Sequence, residues 1–128
     1  MKPDRTVVHI MNRKLLYLRD GDRLSLARSK IQEFGVTAVP VLDDDHRPVG
    51  VVSLRDLAHE PIEASSPVMT ITDTTPVLEG AQTLARLGAH HLVVVDAKGI
   101  AVGMVSALDF VRELAGLEPH HPSAFDRY

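Results

Sequence analysis

The chain has no cysteine and no tryptophan, and its aromatics stop at two tyrosines and three phenylalanines. Without cysteine there can be no disulfide, no thiolate zinc site and no thiol nucleophile, which fits a reducing compartment. With so few rings, the core has to be built from Val, Leu, Ile and Ala. Positive charge is not in excess either: the formal net charge is −3, against the basic balance a nucleic-acid surface usually carries. No apolar run approaches the ~20 residues needed to span a bilayer. The opening Met1-Lys2-Pro3-Asp4-Arg5 leads into only a short apolar stretch, unlike a secretory leader. A soluble, cytoplasmic protein without membrane or nucleic-acid partners is expected. Its 128 residues, 45% apolar and 24% charged, suffice for one globular domain with a sizeable core.

What the chain does have is an internal repeat. Shifted by about 53 residues it matches itself without a gap. Gly35 falls on Gly88, Val41 on Val94, Asp43 on Asp96, Val49-Gly50 on Val102-Gly103, Val52-Ser53 on Val105-Ser106, and Asp56 on Asp109. In each copy a short apolar piece (Leu15 to Leu18; Val68 to Thr72) precedes a helical pattern. The helix positions are Leu24, Ala27, Ile31 and Phe34 in the first copy and Val77, Ala81, Leu84 and Leu87 in the second. Gly35 and Gly88 stand where a left-handed cap is expected. Two β-branched runs around the polar turns Asp43–His46 and Asp96–Gly99 predict a hairpin in each copy. A short helix stopping before Pro61 closes the first copy, and one from about Ala107 to Leu117 closes the second. The predicted division is 1–60, 61–117, and a flexible tail, 118–128, that includes His120-His121-Pro122.

Both copies carry Gly-x-Val-Ser-x-x-Asp where a strand turns into a helix. One reading is structural: Ser53 and Ser106 as N-caps, with Asp56 and Asp109 closing a capping-box-like pair. The other is functional, since a helix start offers N–H groups and a hydroxyl to a phosphate, and a carboxylate can accept from two ribose hydroxyls. The two can hold together. His90-His91 raises a metal reading, but neighbouring strand residues point to opposite faces, and no carboxylate or cysteine pattern supports it. Plain surface histidines are the alternative. No nucleophile elbow, Walker loop or His-Glu-x-x-His motif occurs, so no catalytic residue is expected.

The doubled order of elements resembles the CBS domain pair, or Bateman module. The residues that carry the resemblance are His9-Ile10-Met11, Gly35 to Asp45 and Val49 to Leu57 in the first copy, with Gly88 to Asp96 and Val102 to Phe110 in the second. The last two are similar to the nucleotide-binding repeats of the γ subunit of AMP-activated protein kinase. The resemblance implies an α/β (α+β) fold of two βαββα-type repeats packed sheet to sheet about a pseudo-twofold axis. It implies a regulatory module for AMP, ADP, ATP, S-adenosylmethionine or an NAD-type ligand, with no required cofactor, often a homodimer, signalling to a protein partner.

By the same resemblance the Asp contacts ribose, the Ser lies near phosphate, and two clefts mix both copies. One would join Ser106, Asp109, His90 and His91 with Leu15, Leu16, Val36 and Thr37. The other would join Ser53, Arg55, Asp56, Thr37 and Ala38 with Val68, Met69, Thr70 and Ala89. Backbone groups of Leu16 and Met69 would read the adenine edge. A basic residue at His90 or His91 would meet the phosphates when protonated, so affinity would rise as pH falls toward ~6.5. The copies differ at Pro40 and Val93 and at Arg55 and Leu108, making the clefts unequal in polarity. The histidine-bearing cleft is preferred, although the bulk of Leu16 would narrow it. The alternative function is an oligomerisation or adaptor module with empty clefts, using Leu108, Val111, Leu114, Ala115 and Leu117 of the last helix.

Overall fold

A computed structural model describes residues 4–64 and 68–121. Its elements are β1 (Leu18–Arg19), α1 (Leu26–Phe34), β2 (Ala38–Leu42), β3 (Pro48–Ser53), β4 (Thr70–Thr72), α2 (Val77–Leu87), β5 (His91–Val95), β6 (Ala101–Ser106) and α3 (Ala107–Leu114), with 3-10 turns at Val7–His9 and Asp56–Ala58. They form two three-stranded sheets, β1-β2-β3 and β4-β5-β6. In each, a parallel pair is followed by an antiparallel hairpin, so the mixed α/β class is as expected.

The repeat persists to the level of register. Leu18 pairs with Val41 as Ile71 pairs with Val94, and Ala38 with Ser53 as His91 with Ser106. Even the bulge recurs, between Val41 and Leu42 and between Val94 and Val95. The hairpin turns are built alike. Asp43 Oδ1 accepts from the amides of Asp45 and Arg47, and Asp96 Oδ1 from those of Lys98 and Ile100. Each turn then needs one left-handed residue, His46 (φ 61°) or Gly99 (φ 82°).

Both helices end as the glycines predict, with Gly35 at φ 69° and Gly88 at φ 64°. The last helix is shorter than its apolar pattern suggests and stops at Leu114. Gly116 (φ 76°) ends it, with Leu117 N–H bonded to Arg112 O and Gly116 N–H to Glu113 O, a Schellman pair. Of the tail, residues 122–128 lie outside the described residues; before them, Glu118 O accepts from Arg112 Nε.

Strand β1 has two residues where β4 has three. In the second copy Val93 N–H bonds to Met69 O at 3.2 Å. The matching residue in the first copy is Pro40, which has no N–H to give. Proline is tolerated in this buried central strand because its bare nitrogen lies beside the chain that precedes the start of β1 at Leu18.

Two compact units form, and their limits differ from those of the sequence repeats: among the described residues, 4–15 group with 69–120, and 16–64 with 68 and 121 form the other unit. The first core joins Val7, Ile10 and Met11 to Ile71, Val77, Leu84, Leu92, Val94, Val105 and Phe110. The second contains Leu18, Ala27, Ile31, Val39, Val41 and Val52, with Leu57, Ile62 and Ala64 packed against it. The segment ahead of the first copy thus completes the core of the second copy, while the linker after the first copy folds back on its own core. Packing at one matched position differs: Gly80 lies where a Cβ would come 3.0 Å from Phe110, whereas the first copy has Ala27 in its core and Leu57, packed against that core, at the position matching Phe110. Among the described residues, no helix is long and apolar enough to cross a membrane.

Candidate functional site

Each hairpin delivers its Ser and Asp to the same geometry. Asp109 Oδ2 accepts the Ser106 N–H at 2.8 Å, and Ser106 Oγ accepts the Asp109 N–H at 3.3 Å. In the other unit, Asp56 Oδ2 accepts from the Ser53 N–H at 2.7 Å and from its Oγ at 3.0 Å. Ser53 Oγ lies 3.3 Å from the Asp56 amide. The capping box therefore forms at Ser106, the N-cap of α3, and the same reciprocal bonds form between Ser53 and Asp56, although the N-cap of the 3-10 turn there is Arg55 rather than Ser53. Asp109 is buried, at 8% exposure, and Asp56 is half-buried. Neither carboxylate dangles in water.

The helix starts are less open than expected. The Ala107 amide donates to His90 O, and the matching Leu54 amide to Thr37 O. With the Asp amides bonded to Ser Oγ, two N–H groups of each first turn are engaged within the chain. A phosphate there would meet the seryl side and whatever basic side chain is near, rather than an open ring of amides.

The residues named from sequence divide between the units. Ser106, Asp109, His90, His91, Leu15, Met69, Thr70 and Ala89 belong to one, and Ser53, Arg55, Asp56, Thr37, Ala38, Leu16, Val36 and Val68 to the other. Within the first unit, β5 sets His91 opposite Ser106. His91 is half-buried and His90 exposed, as strand alternation requires. Burial holds the His91 pKa below its ordinary 6.5, the neighbouring His90 adds to that, and Asp109 opposes it. Its cationic form therefore appears only at a pH lower than the sequence suggests. Ala89 and Val36 are partly committed to their own cores. Met69 O already accepts from Val93, while Leu16 O receives no donor from position 40 because Pro40 has none. The two adenine-edge candidates thus differ in their hydrogen-bonding state. Among the described residues, no group of three or more His, Asp or Glu is placed to hold a metal ion.

Some contacts around Ser106 and Asp109 have no counterpart among the expectations from sequence. Asn12 exchanges two backbone hydrogen bonds with Met104, at 2.7 and 3.0 Å, and Arg5 grips Glu113 with two nitrogens, at 2.9 and 3.1 Å. Their only trace in the sequence is Gly103, a repeated glycine at a point of close backbone approach.

Against known proteins, the CBS domain model matches residues 7–63 and 60–116. The UPF0053 protein MG146 homolog of Mycoplasma pneumoniae is 28% identical over 80% of the chain and 27% of its own length. Inosine-5'-monophosphate dehydrogenase of Mycobacterium tuberculosis is 29% identical over 73% of the chain and 19% of its own length. The chain therefore spans about a quarter or less of these relatives. Among solved structures, CBSX2 in complex with AMP superposes with a TM-score of 0.76 at 25% identity, covering 87% of this chain and 96% of that one. A CBS domain pair holding methylthioadenosine and S-adenosyl-L-methionine gives 0.80 at 22% identity, over 89% and 98%. The CBS domain of a bacterial CNNM/CorC family Mg2+ transporter with ATP gives 0.75 at 22%, over 90% of each.

Proposed function

Because the chain belongs to the CBS-domain family, with two CBS repeats filling nearly all of it, we propose that it is a non-catalytic regulatory module binding an adenosine-containing ligand. Asp109 and Asp56 take the ribose hydroxyls, Ser106 and Ser53 lie near the phosphate or its replacement, and His91 and Arg55 set the charge at each position. One observation carries this reading: the Ser–Asp pair keeps its geometry in both copies although the elements it starts are unequal. In the second copy it caps a helix of eight residues; in the first it starts only a three-residue 3-10 turn. Capping alone gives little reason to retain the full pair over so short a turn. Relatives of the same fold hold AMP, S-adenosyl-L-methionine or ATP, which supports the ligand class.

The test is a thermal-shift panel of AMP, ATP, S-adenosylmethionine and methylthioadenosine. Saturation at a hundredfold over Kd stabilises by about 2.7 kcal/mol, and Asp109→Ala or Asp56→Ala should abolish the ligand-dependent part of the shift at its own position. No shift from any of the four would refute the reading. A second reading, an assembly module, is favoured by the outer side of α3, where Leu108, Val111 and Leu114 are 64, 57 and 53% exposed. Under that reading both Asp variants leave self-association unchanged.

A further inference from the structure

The N-terminal segment, residues 5–12, is a strap across the unit that carries Ser106 and Asp109. Its backbone is tied at three places: Val7 and Val8 donate to Thr75 and Asp73, Val77 donates to Arg5, and Asn12 pairs with Met104. Val7 and Ile10 are almost wholly buried. Two of its anchors bracket the Ser–Asp pair along one short stretch of chain. Met104 lies two residues before Ser106, on β6, and Glu113 one turn after Asp109, on α3. The Glu113 side chain is only 9% exposed in the ion pair. The segment from Met104 to Glu113 is thus held from outside by the strap and from inside by the capping box and Phe110.

Resting on the function proposed above, we infer that this strap is the output element of the Ser106–Asp109 position: ligand occupancy and strap docking stabilise the same two-turn helix and are therefore thermodynamically coupled. Coupling of this kind is reciprocal. A ligand that fixes the start of α3 tightens the strap, and a loosened strap weakens the ligand. The Arg5–Glu113 pair is the adjustable contact, because its partners are 108 residues apart and neither belongs to the binding set.

The experiment measures hydrogen exchange of the full chain with and without saturating AMP, ATP or S-adenosylmethionine, beside calorimetry of the parent and Arg5→Ala. The amides of Val7, Val8 and Asn12 should slow on ligand addition by a larger factor than those of α2 in the same unit. Arg5→Ala should raise the Kd about five- to tenfold, at the low end of the usual range of such couplings. Arg5→Glu combined with Glu113→Arg should restore it to within twofold. The exchange comparison uses the unaltered chain and stands whatever Arg5→Ala does to folding. If a ligand binds while strap exchange follows α2 and Arg5→Ala leaves Kd within twofold, the coupling is wrong and the binding reading survives. If none of the three binds the parent, the binding reading falls and takes the coupling with it.

Discussion

Gly103→Ala should be strongly destabilising, because the added atom has nowhere to go. A Cβ there would sit 2.6 Å from Asn12 O, 2.9 Å from Met11 Sδ and 3.3 Å from Met11 Cγ. The first is a backbone atom, so a side-chain rotation cannot relieve the clash. Relief requires Asn12 to move off Met104, lengthening two hydrogen bonds worth about 1 kcal/mol each net. Displacing the buried Met11 adds an overpacking cost of roughly 1–3 kcal/mol. Together the loss is about 3–5 kcal/mol, a large share of the ~5–15 kcal/mol that holds a typical domain folded. Urea denaturation followed by circular dichroism measures it, with Gly116→Ala as the control. That residue has open space for a Cβ but a φ of 76°, so it should lose only about 1–2 kcal/mol, from backbone strain. A Gly103→Ala protein within about 0.5 kcal/mol of the parent, inside the scatter of ordinary surface changes, with Asn12 and Met104 amides still protected, would refute the argument.

Other expectations follow from local chemistry. His91 has a folded-state pKa below its ordinary 6.5, so the unfolded chain binds its proton first as pH falls; the folded state then loses stability from about pH 6.5 down to the depressed value. In His91→Gln, urea midpoints should be flatter with pH across that window, whereas an unchanged slope would place the proton uptake elsewhere. Pro40→Val supplies an N–H opposite Leu16 O; the gained hydrogen bond and the lost proline stiffness offset within about 1 kcal/mol. Nuclear magnetic resonance should find the amide introduced at position 40 protected from exchange, as that of Val93 is expected to be.

The repeat was legible because its constraints are local. Gly35 and Gly88 mark left-handed caps, Asp43 and Asp96 bind turn amides two and four residues ahead, and Ser53–Asp56 and Ser106–Asp109 close over a three-residue interval. Such signals are written within a few positions of each other. The strap was not legible for the opposite reason. Val7, Ile10 and Met11 are apolar in any environment, and nothing near them says that the rest of their core begins only at Ile71. Two other misses had signals that a longer apolar pattern overrode. Leu117 extends the helical spacing, yet Gly116 has already ended α3. The apolar piece Leu15 to Leu18 joins the sheet only at its end, where Leu18 and Arg19 pair with Val41 and Leu42, and Pro40 has no N–H for the residues before them. For the site, the residue types and the caps were readable, whereas the depressed pKa of His91 depends on burial that only the folded β5–β6 hairpin creates.

The strap also sets an order of events during synthesis. The core of the other unit is supplied by residues between Leu18 and Ala64, a short stretch of chain that can begin to fold once it has left the ribosome. Residues 5–12 emerge earlier still, but their docking surface is incomplete until Glu113 has been added. The earliest-made part of this region must wait, with Val7, Ile10 and Met11 uncovered, for its latest-made part. Closing a contact over so long a separation is slow compared with local structure. A nascent chain stalled before α3 would therefore hold one finished half and one that still exposes its apolar ends.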